Sequence, residues 1–387
     1  MTLSWDVVSG SVACQIRAYQ LTHSSSNPSI NIFSSEISSF DAPNAVLGGG
    51  TSRRLRCACE VSPIDATPLS EADTFNVPVL KEITFGKVSS LYRMSHTLRH
   101  NNLEVRVELP QEYYRHSRFD WTGQIVSVRF KGLEFCGKEL EHQTSKQDEL
   151  YGRGLCNEFG MDNPLGIEGC QAGDLFQKIG VGSLKREEEG YDFQKLYPIE
   201  PANFRIEEQD DSVLTIVAES RQGSFGYRLH KSISMLESGF TITSRLTNSG
   251  QEFFETEEYN HNFLALDPEN LKYCRLLFDF DLQQNAFSEH VNPEQAVRLG
   301  KRTLTFQQTP SKAYFFANMS GSEISNPEWR LENDRTGFSI SEHADFNVCK
   351  VNLWGGRHVI SPELFVRIGL APGESKTWTR TYRIGER

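Results

Sequence analysis

The stretch TSRLTNSGQEFFETEEYNHNFLALD, residues 243–267, decides the fold of this chain. Apolar and polar side chains alternate up to Asn248, which is the pattern of a strand with one buried face. Asn248-Ser249-Gly250 then predicts a turn, because these residue types favour turn conformations. A second strand follows and carries Asn260-His261-Asn262-Phe263. Its period of two places Glu255, Glu257, Tyr259 and His261 on one face, with Glu258 and Asn260 on the other.

The same alternation recurs along most of the chain from residue 97 onward. It is clear in LEVRVEL (103–109), IVSVRF (125–130), FGYRLHKSISML (225–236) and FTITSRL (240–246). Many strands separated by turn signals, without a sustained apolar stripe of helical period, are typical of antiparallel sheets. We therefore predict an all-β fold, a large antiparallel β-sandwich, over residues 97–387.

Residues 1–96 differ in character from the rest. They contain the Ser- and Asn-rich run THSSSNPSINIFSSEISSFDAPNA and then GGGTSRRLRCACE, which have too few apolar residues to offset the entropy of ordering. We expect an extension that is largely loop or disordered, with an edge strand as an option at 78–95. A Ser-rich, Arg-containing composition also suits an organelle transit peptide.

Composition limits the partners. The chain has 387 residues, 38% of them hydrophobic, and a formal net charge of -11. This charge argues against nucleic acid as a partner, because binding nucleic acid requires a basic surface. The sequence contains no apolar run of about 18 residues, so it does not predict a membrane span. The eight cysteines are scattered, which is typical of free core thiols in a reducing compartment. We expect a cytoplasmic protein, or an organellar one if the extension is a transit peptide; the oligomeric state stays open.

Two groups of motifs resemble the aldose 1-epimerase (galactose mutarotase) family. The first is the Asn-His-x-Phe segment after a Thr-Asn turn, and the second is Ile360-Ser361-Pro362-Glu363 followed by LAPGESKTWTRTYRI. SRFDWTG (117–123) and GLCNEFG…GDLFQKIGVGSL (154–184) are similar to segments of uncharacterised relatives. The resemblance covers residues 97–387 and implies an isomerase that interconverts the α and β anomers of a hexose.

The resemblance also implies the site. His261 is the expected acid and Glu363 the expected base, on opposite sides of a monosaccharide substrate. Neither a metal nor an organic cofactor is expected, because ring opening needs only two proton transfers. The substrate-binding candidates are Arg118, Asp120, Arg153, Glu158, Lys178, Asn260 and Trp354. Asp120 and Trp354 also have structural interpretations, as an ion-pair partner and as a core residue.

The sequence departs from the family pattern in two places. The arginine motif has only a partial counterpart at 152–157, with Glu158 in place of its second arginine, and a second conserved histidine has no counterpart. A non-catalytic carbohydrate-binding sandwich is therefore the alternative function, and a glycosidase or lyase is a third. A phosphorylated hexose would require basic residues to converge, and the candidates for this are Arg118, Arg153, Lys178 and Arg357.

Overall fold

The computed structural model describes residues 95–142, 144–188 and 190–387, together with three strands nearer the N-terminus. The chain divides into two compact units, Met1–Thr84 and Phe85–Arg387. In the first unit, β1 (Thr2–Val8), β2 (Ser11–Thr22) and β3 (Ser29–Glu36) form an antiparallel sheet in that order. The expectations for residues 1–96, including an edge strand at 78–95, fall largely outside the described residues and stay predictions.

The second unit is built almost wholly of strands. In chain order they are β4 (His96–His100), β5 (Leu103–Glu108), β6 (Gln124–Phe130), β7 (Leu133–Glu134), β8 (Leu155–Phe159), β9 (Leu175–Lys178), β10 (Gly182–Lys185), β11 (Ile199–Pro201), β12 (Asn203–Gln209), β13 (Val213–Gln222), β14 (Phe225–Leu236), β15 (Gly239–Asn248), β16 (Phe254–Asn262), β17 (Cys274–Phe278), β18 (Glu289–Val291), β19 (Val297–Leu299), β20 (Thr303–Phe306), β21 (Tyr314–Ala317), β22 (Ile324–Ser325), β23 (Glu328–Asn333), β24 (Phe338–Ala344), β25 (Asn347–Val348), β26 (Lys350–Gly355), β27 (Ile360–Leu370) and β28 (Ser375–Glu386). Short 3-10 helices occupy Lys146–Leu150, Leu271–Tyr273 and Gln284–Ala286.

Two large antiparallel sheets dominate this unit. Sheet I has the order β12-β13-β14-β15-β28-β24-β23-β17-β20-β19. Sheet II has the order β18-β21-β26-β27-β16-β8-β6-β5-β4, with β7 paired to β6. Two smaller sheets, β11-β10-β9 and β22-β25, complete the described part of the unit. The predicted turn at 248–250 carries the chain from sheet I to sheet II, so β15 and β16 do not pair with each other.

Apolar residues from both large sheets form one core. Val107 of sheet II and Ile216 and Ile233 of sheet I all lie near Gly123, where an added Cβ would meet their side chains at 3.2–3.4 Å. The strands predicted at 103–109, 125–130, 225–236 and 240–246 are present as β5, β6, β14 and β15. The prediction of an all-β antiparallel sandwich is confirmed. Among the described residues, no helix has the length and apolar character to cross a bilayer.

A layer of charged side chains lies within the sandwich and joins the two sheets. Arg380 of sheet I is fully buried and donates to Glu342 of its own sheet and to Glu258 of sheet II, both at 2.7 Å. Asn157 of sheet II donates to Glu258 at 2.5 Å and accepts from Lys231 of sheet I at 2.8 Å. Buried ions tolerate the loss of water only when their hydrogen bonds are satisfied, so this layer fixes how the sheets face each other.

Replacing Arg380 by methionine should lower the free energy of unfolding by about 3–5 kcal/mol, because two carboxylates would stay buried without their cation. Urea unfolding followed by tryptophan fluorescence measures the change. Arg302→Met is the matched control, since Arg302 pairs with Asp281 at an exposed site and its loss should change stability far less. Equal effects from the two variants would contradict a structural role for the buried layer.

Candidate active site

The alternation along β16 places its side chains in two different surroundings. Glu258, Asn260 and Asn262 point into the sandwich, where Asn262 donates to Glu342 at 3.1 Å. Tyr259 and His261 point the other way, to the outer face of sheet II, which we call the outer face from here on. The predicted division of this strand into two faces is therefore confirmed by the contacts of its side chains.

His261 and Glu363 meet on the outer face. The imidazole Nε2 lies 3.4 Å from the Glu363 Oε1 atom, although the two residues are far apart in the chain. The Ser361 hydroxyl links them, since its Oγ is 2.8 Å from His261 Nδ1 and 3.2 Å from Glu363 Oε1. When this hydroxyl donates to Glu363, the imidazole carries its proton on Nδ1 and donates it to Oγ. The Nε2 lone pair then faces the carboxyl group.

A ring of charged residues on the same face surrounds this pair. Glu158 is at its centre and accepts from Arg118 Nε at 3.2 Å, from Lys178 Nζ at 3.3 Å and from the Tyr259 hydroxyl at 2.7 Å. Arg118 also donates to both oxygens of Glu139, at 2.9 and 3.1 Å. All of these side chains are buried. Each therefore holds a fixed position, as buried polar groups in a satisfied network do.

Burial changes the protonation of the pair. His261 is 3% exposed and Glu363 is 4% exposed. Loss of water raises the pKa of Glu363 from 4.5 to about 8, an effect that the Ser361 hydrogen bond and Arg118 only partly oppose. Burial, together with the Arg118 charge, holds the pKa of His261 well below its usual value of 6.5. At neutral pH the proton therefore resides on the carboxyl group and the imidazole is neutral.

Aromatic side chains exclude water from the pair. The His261 ring stacks on Phe263 with centroids 4.0 Å apart, and Trp354 contacts it edge-on at 5.4 Å. Phe119 lies beside this stack, with its ring centroid 6.2 Å from those of both His261 and Phe263. Farther out, Phe193 covers the Arg118 guanidinium, with the cation 5.1 Å from the ring centroid. This packing is the physical cause of the shifted pKa values.

The structure brings together five of the nine predicted site residues, namely His261, Glu363, Arg118, Glu158 and Trp354, and Lys178 joins them through Glu158. The other three lie elsewhere. Asn260 is inside the sandwich, where it donates to the Tyr382 hydroxyl at 2.5 Å, so its position does not fit the expected substrate contact. Asp120 pairs with the buried Lys231, which is the structural interpretation.

Arg153 is also outside the ring around the pair, because it forms an ion pair with Glu108. The four basic residues considered for a phosphate group do not converge as free cations. Arg118 and Lys178 are both committed to Glu158, and Arg357 is exposed. The arrangement therefore gives no support to a phosphorylated substrate at this site.

Three residues of the site were not predicted from the sequence. Ser361 lies two positions before Glu363 on the same strand, and this spacing, which places both side chains on one face, could have identified it. Tyr259 was likewise assigned to the face of His261 without a role. Glu139 lies outside the strands, where no periodicity indicates its direction.

Among the described residues, no cluster of three His, Cys, Asp or Glu side chains could hold a metal ion.

An open cavity adjoins the site along the outer face. It has a volume of about 190 Å³, and its walls include Tyr259 and Phe365, whose rings stack at 4.5 Å. Tyr259 lies two positions before His261 on β16, and Phe365 lies two positions after Glu363 on β27. Glu257 and Lys350, which pair at 2.6 Å, line its far side.

The fold and the site together describe one kind of protein: a large antiparallel β-sandwich that carries a buried imidazole–carboxyl pair on one of its sheets. Solved structures of aldose epimerase relatives have a similar fold. A candidate aldose 1-epimerase from Escherichia coli K12 is 14% identical, with 76% of this chain and 99% of that chain covered and a TM-score of 0.47. A galactose mutarotase-related enzyme from Lactobacillus acidophilus is 13% identical (76% and 98% covered, TM-score 0.47), and an aldose epimerase homologue from C. elegans is 9% identical (76% and 98% covered, TM-score 0.46). No protein-family model and no curated protein matches the sequence.

Replacing Glu363 by glutamine should change how stability depends on pH. The folded wild type keeps the Glu363 proton up to a pKa of about 8, whereas the unfolded chain loses it near 4.5. This contribution to stability is therefore present at low pH and is lost as the pH rises from about 4.5 through 8. The difference in unfolding free energy between Glu363→Gln and wild type should shift in favour of the variant from pH 5 to pH 8.5, by on the order of a few kcal/mol.

Urea unfolding at the two pH values measures this shift. Glu255→Gln is the control, because Glu255 is an exposed carboxylate on the same face of β16 and should show no such shift. A constant difference between Glu363→Gln and wild type across this pH range would show that the carboxyl group is ionised throughout.

Proposed function

We propose that this protein interconverts the α and β anomers of a hexose, with His261 and Glu363 as the groups that exchange protons with the sugar. One observation supports this above the others. An imidazole nitrogen and a carboxyl oxygen, 3.4 Å apart on the outer face, lie in surroundings that displace both pKa values. Perturbed titratable groups placed together in this way are typical of acid–base sites.

The chemistry balances with these two groups alone. One group takes the proton of the C1 hydroxyl while the other gives a proton to the ring oxygen, and the C1–O5 bond breaks to leave an open-chain aldehyde. Rotation about C1–C2 exposes the other face of the carbonyl, and the reverse transfers close the ring. Both reacting oxygens are bonded to C1. A base and an acid that are neighbours can therefore address them from one side, without the opposite placement that we expected from the sequence.

The pKa values set the direction of the first transfers. In the resting state Glu363 carries the proton and His261 is neutral, so Glu363 protonates the ring oxygen and His261 Nε2 accepts the hydroxyl proton. This reverses the roles expected from the sequence. The products of the first transfer are a carboxylate and an imidazolium at close range, which attract each other and are ready for the reverse step.

Access requires a covering side chain to move, because both reactive groups are almost fully buried. Trp354 over His261 and Phe193 over Arg118 are only partly buried. The cavity bounded by Tyr259 and Phe365 supplies room for the rest of a sugar. The Arg118–Glu158–Lys178 ring would bind hydroxyl groups through charge-assisted hydrogen bonds, which are strong and directional.

The alternative, a carbohydrate-binding sandwich without catalysis, is favoured by the same burial. A pair closed off from solvent is also what a site that has lost its reaction would contain. The two functions differ in a direct measurement, because only an epimerase accelerates anomer equilibration.

Equilibration of freshly dissolved α-glucose and α-galactose, followed by polarimetry or NMR, should be faster with the wild-type protein. His261→Ala and Glu363→Gln should each lose about a hundredfold to ten-thousandfold of the catalysed rate, the contribution of one positioned acid or base. Glu237→Gln is the matched control, because Glu237 is exposed in the turn between β14 and β15 and does not line the cavity bounded by Tyr259 and Phe365, so this variant should keep the wild-type rate. Full activity in His261→Ala would refute the assignment, and sugar binding without acceleration would favour the binding function.

The pH profile distinguishes the two role assignments. If protonated Glu363 is the first donor, the catalysed part of kcat/KM should fall as the pH rises through about 8, the pKa of that group in the free protein. The uncatalysed rate is subtracted at each pH. A catalysed rate that rises through this range would instead make ionised Glu363 the base, as the sequence motif implied.

A further inference from the structure

A second cavity lies apart from the proposed active site. It has a volume of about 340 Å³, within the range of roughly 300–1,000 Å³ that is typical of small-molecule sites. Its walls include Tyr113, Tyr151, Gln124, Lys138 and Arg153. We propose that this cavity is a separate binding site for a neutral saccharide unit, distinct from the place where the anomers are proposed to exchange.

Aromatic side chains connect the wall of this cavity to the surroundings of His261. Tyr114 lines the cavity, and its ring centroid is 5.8 Å from that of Phe119, which in turn is 6.2 Å from the His261 ring. Gly152 also lines the cavity, and a Cβ added there would lie 2.7 Å from both Phe119 and Phe263. Neither His261 nor Glu363 lines the second cavity, so a ligand bound there is expected to leave both groups untouched.

Tyr113 provides a sugar-stacking surface. The residue is 68% exposed, the most exposed of the large hydrophobic side chains that the structure describes. It is nonetheless held in place, since the Arg153 guanidinium lies 4.4 Å from its ring centroid and is itself anchored by Glu108. A fixed aromatic ring with a free surface suits the C–H face of a pyranose, which is apolar and flat.

Gln124 supplies an unused hydrogen-bond acceptor. The residue is 4% exposed, and its Nε2 atom donates to the Arg153 carbonyl oxygen and to Cys156 Sγ. Its Oε1 atom is buried and accepts no hydrogen bond from the described part of the protein. Such a group costs stability unless a partner is supplied, so a ligand hydroxyl that donates to it would be favoured.

The charges at this cavity favour a neutral ligand. Arg153 is neutralised by Glu108, His116 lies 3.4 Å from Glu149, and Glu141 lies 3.9 Å from His358. Lys138 adds a cation to the wall and Glu141 and Glu149 add carboxylates, so the wall has no excess of positive charge to attract an anion. The aromatic faces of the tyrosines and the Gln124 amide are groups that recognise a polyol.

Methyl pyranosides test this proposal, because their locked anomeric carbon prevents turnover. Saturation-transfer NMR and calorimetry with the methyl glycosides of glucose, galactose, mannose and N-acetylglucosamine should detect binding of at least one to the full chain. Tyr113→Ala should weaken that binding about three- to tenfold, the value of a lost aromatic contact. It should leave the mutarotation rate unchanged.

Two controls keep the result specific. Tyr273→Ala removes another exposed tyrosine with a cation over its ring, at a place that lines neither described cavity, and should bind like wild type. Glu363→Gln should bind the methyl glycosides like wild type but lose mutarotation. The second binding site and the epimerase activity are therefore tested independently of each other. Absence of binding by all four glycosides would overturn the proposal. Binding that is insensitive to Tyr113→Ala but lost in His261→Ala would also overturn it, because the probe would then occupy the active site.

Discussion

The register between β8 and β16 is the constraint on which the rest of the structure depends. It sets Glu158 opposite Tyr259 and Cys156 opposite His261. Because side chains alternate between faces, a slip of one residue would turn His261 into the sandwich and expose Glu258 to the outer face. The same register places Asn157 beside Glu258 on the inner face, where the two share a hydrogen bond. The fold and the site thus depend on a single pairing.

Charged groups are buried on both faces of this sheet, and the two sets differ in an informative way. On the inner face Arg380 is matched by two carboxylates, so its charge is offset by direct contacts. On the outer face Glu363 has a hydroxyl and an imidazole as neighbours, but no cation from the described part of the chain is in direct contact with it, and its pKa rises. A buried carboxyl group that is left without its counterion lowers stability at neutral pH, and such a cost is characteristic of functional sites.

The sequence predicted the fold because alternation is a local property that each strand displays alone. It also predicted that His261 shares a face with Tyr259, since this follows from the period of two. The same rule places Asn260 on the other face, which conflicts with its choice as a substrate contact. Contacts between elements distant in the chain were beyond it: Glu139 lies in a loop without periodicity, and Asp120 pairs with Lys231 of sheet I. The pKa shifts of His261 and Glu363 were likewise inaccessible, because they depend on how much water the folded chain excludes.

Exclusion of water connects the reactivity of the pair to its surroundings. Phe263 and Phe119 shield His261, and the Tyr114 hydroxyl fixes Phe119 by accepting its backbone N–H at 3.3 Å. A looser wall would admit water, lower the pKa of Glu363 and leave a carboxylate with no proton to give. Gly152 permits the tight wall, since any side chain there would displace the two phenyl rings. The backbone at this glycine therefore bears on the protonation of a carboxyl group that it does not touch.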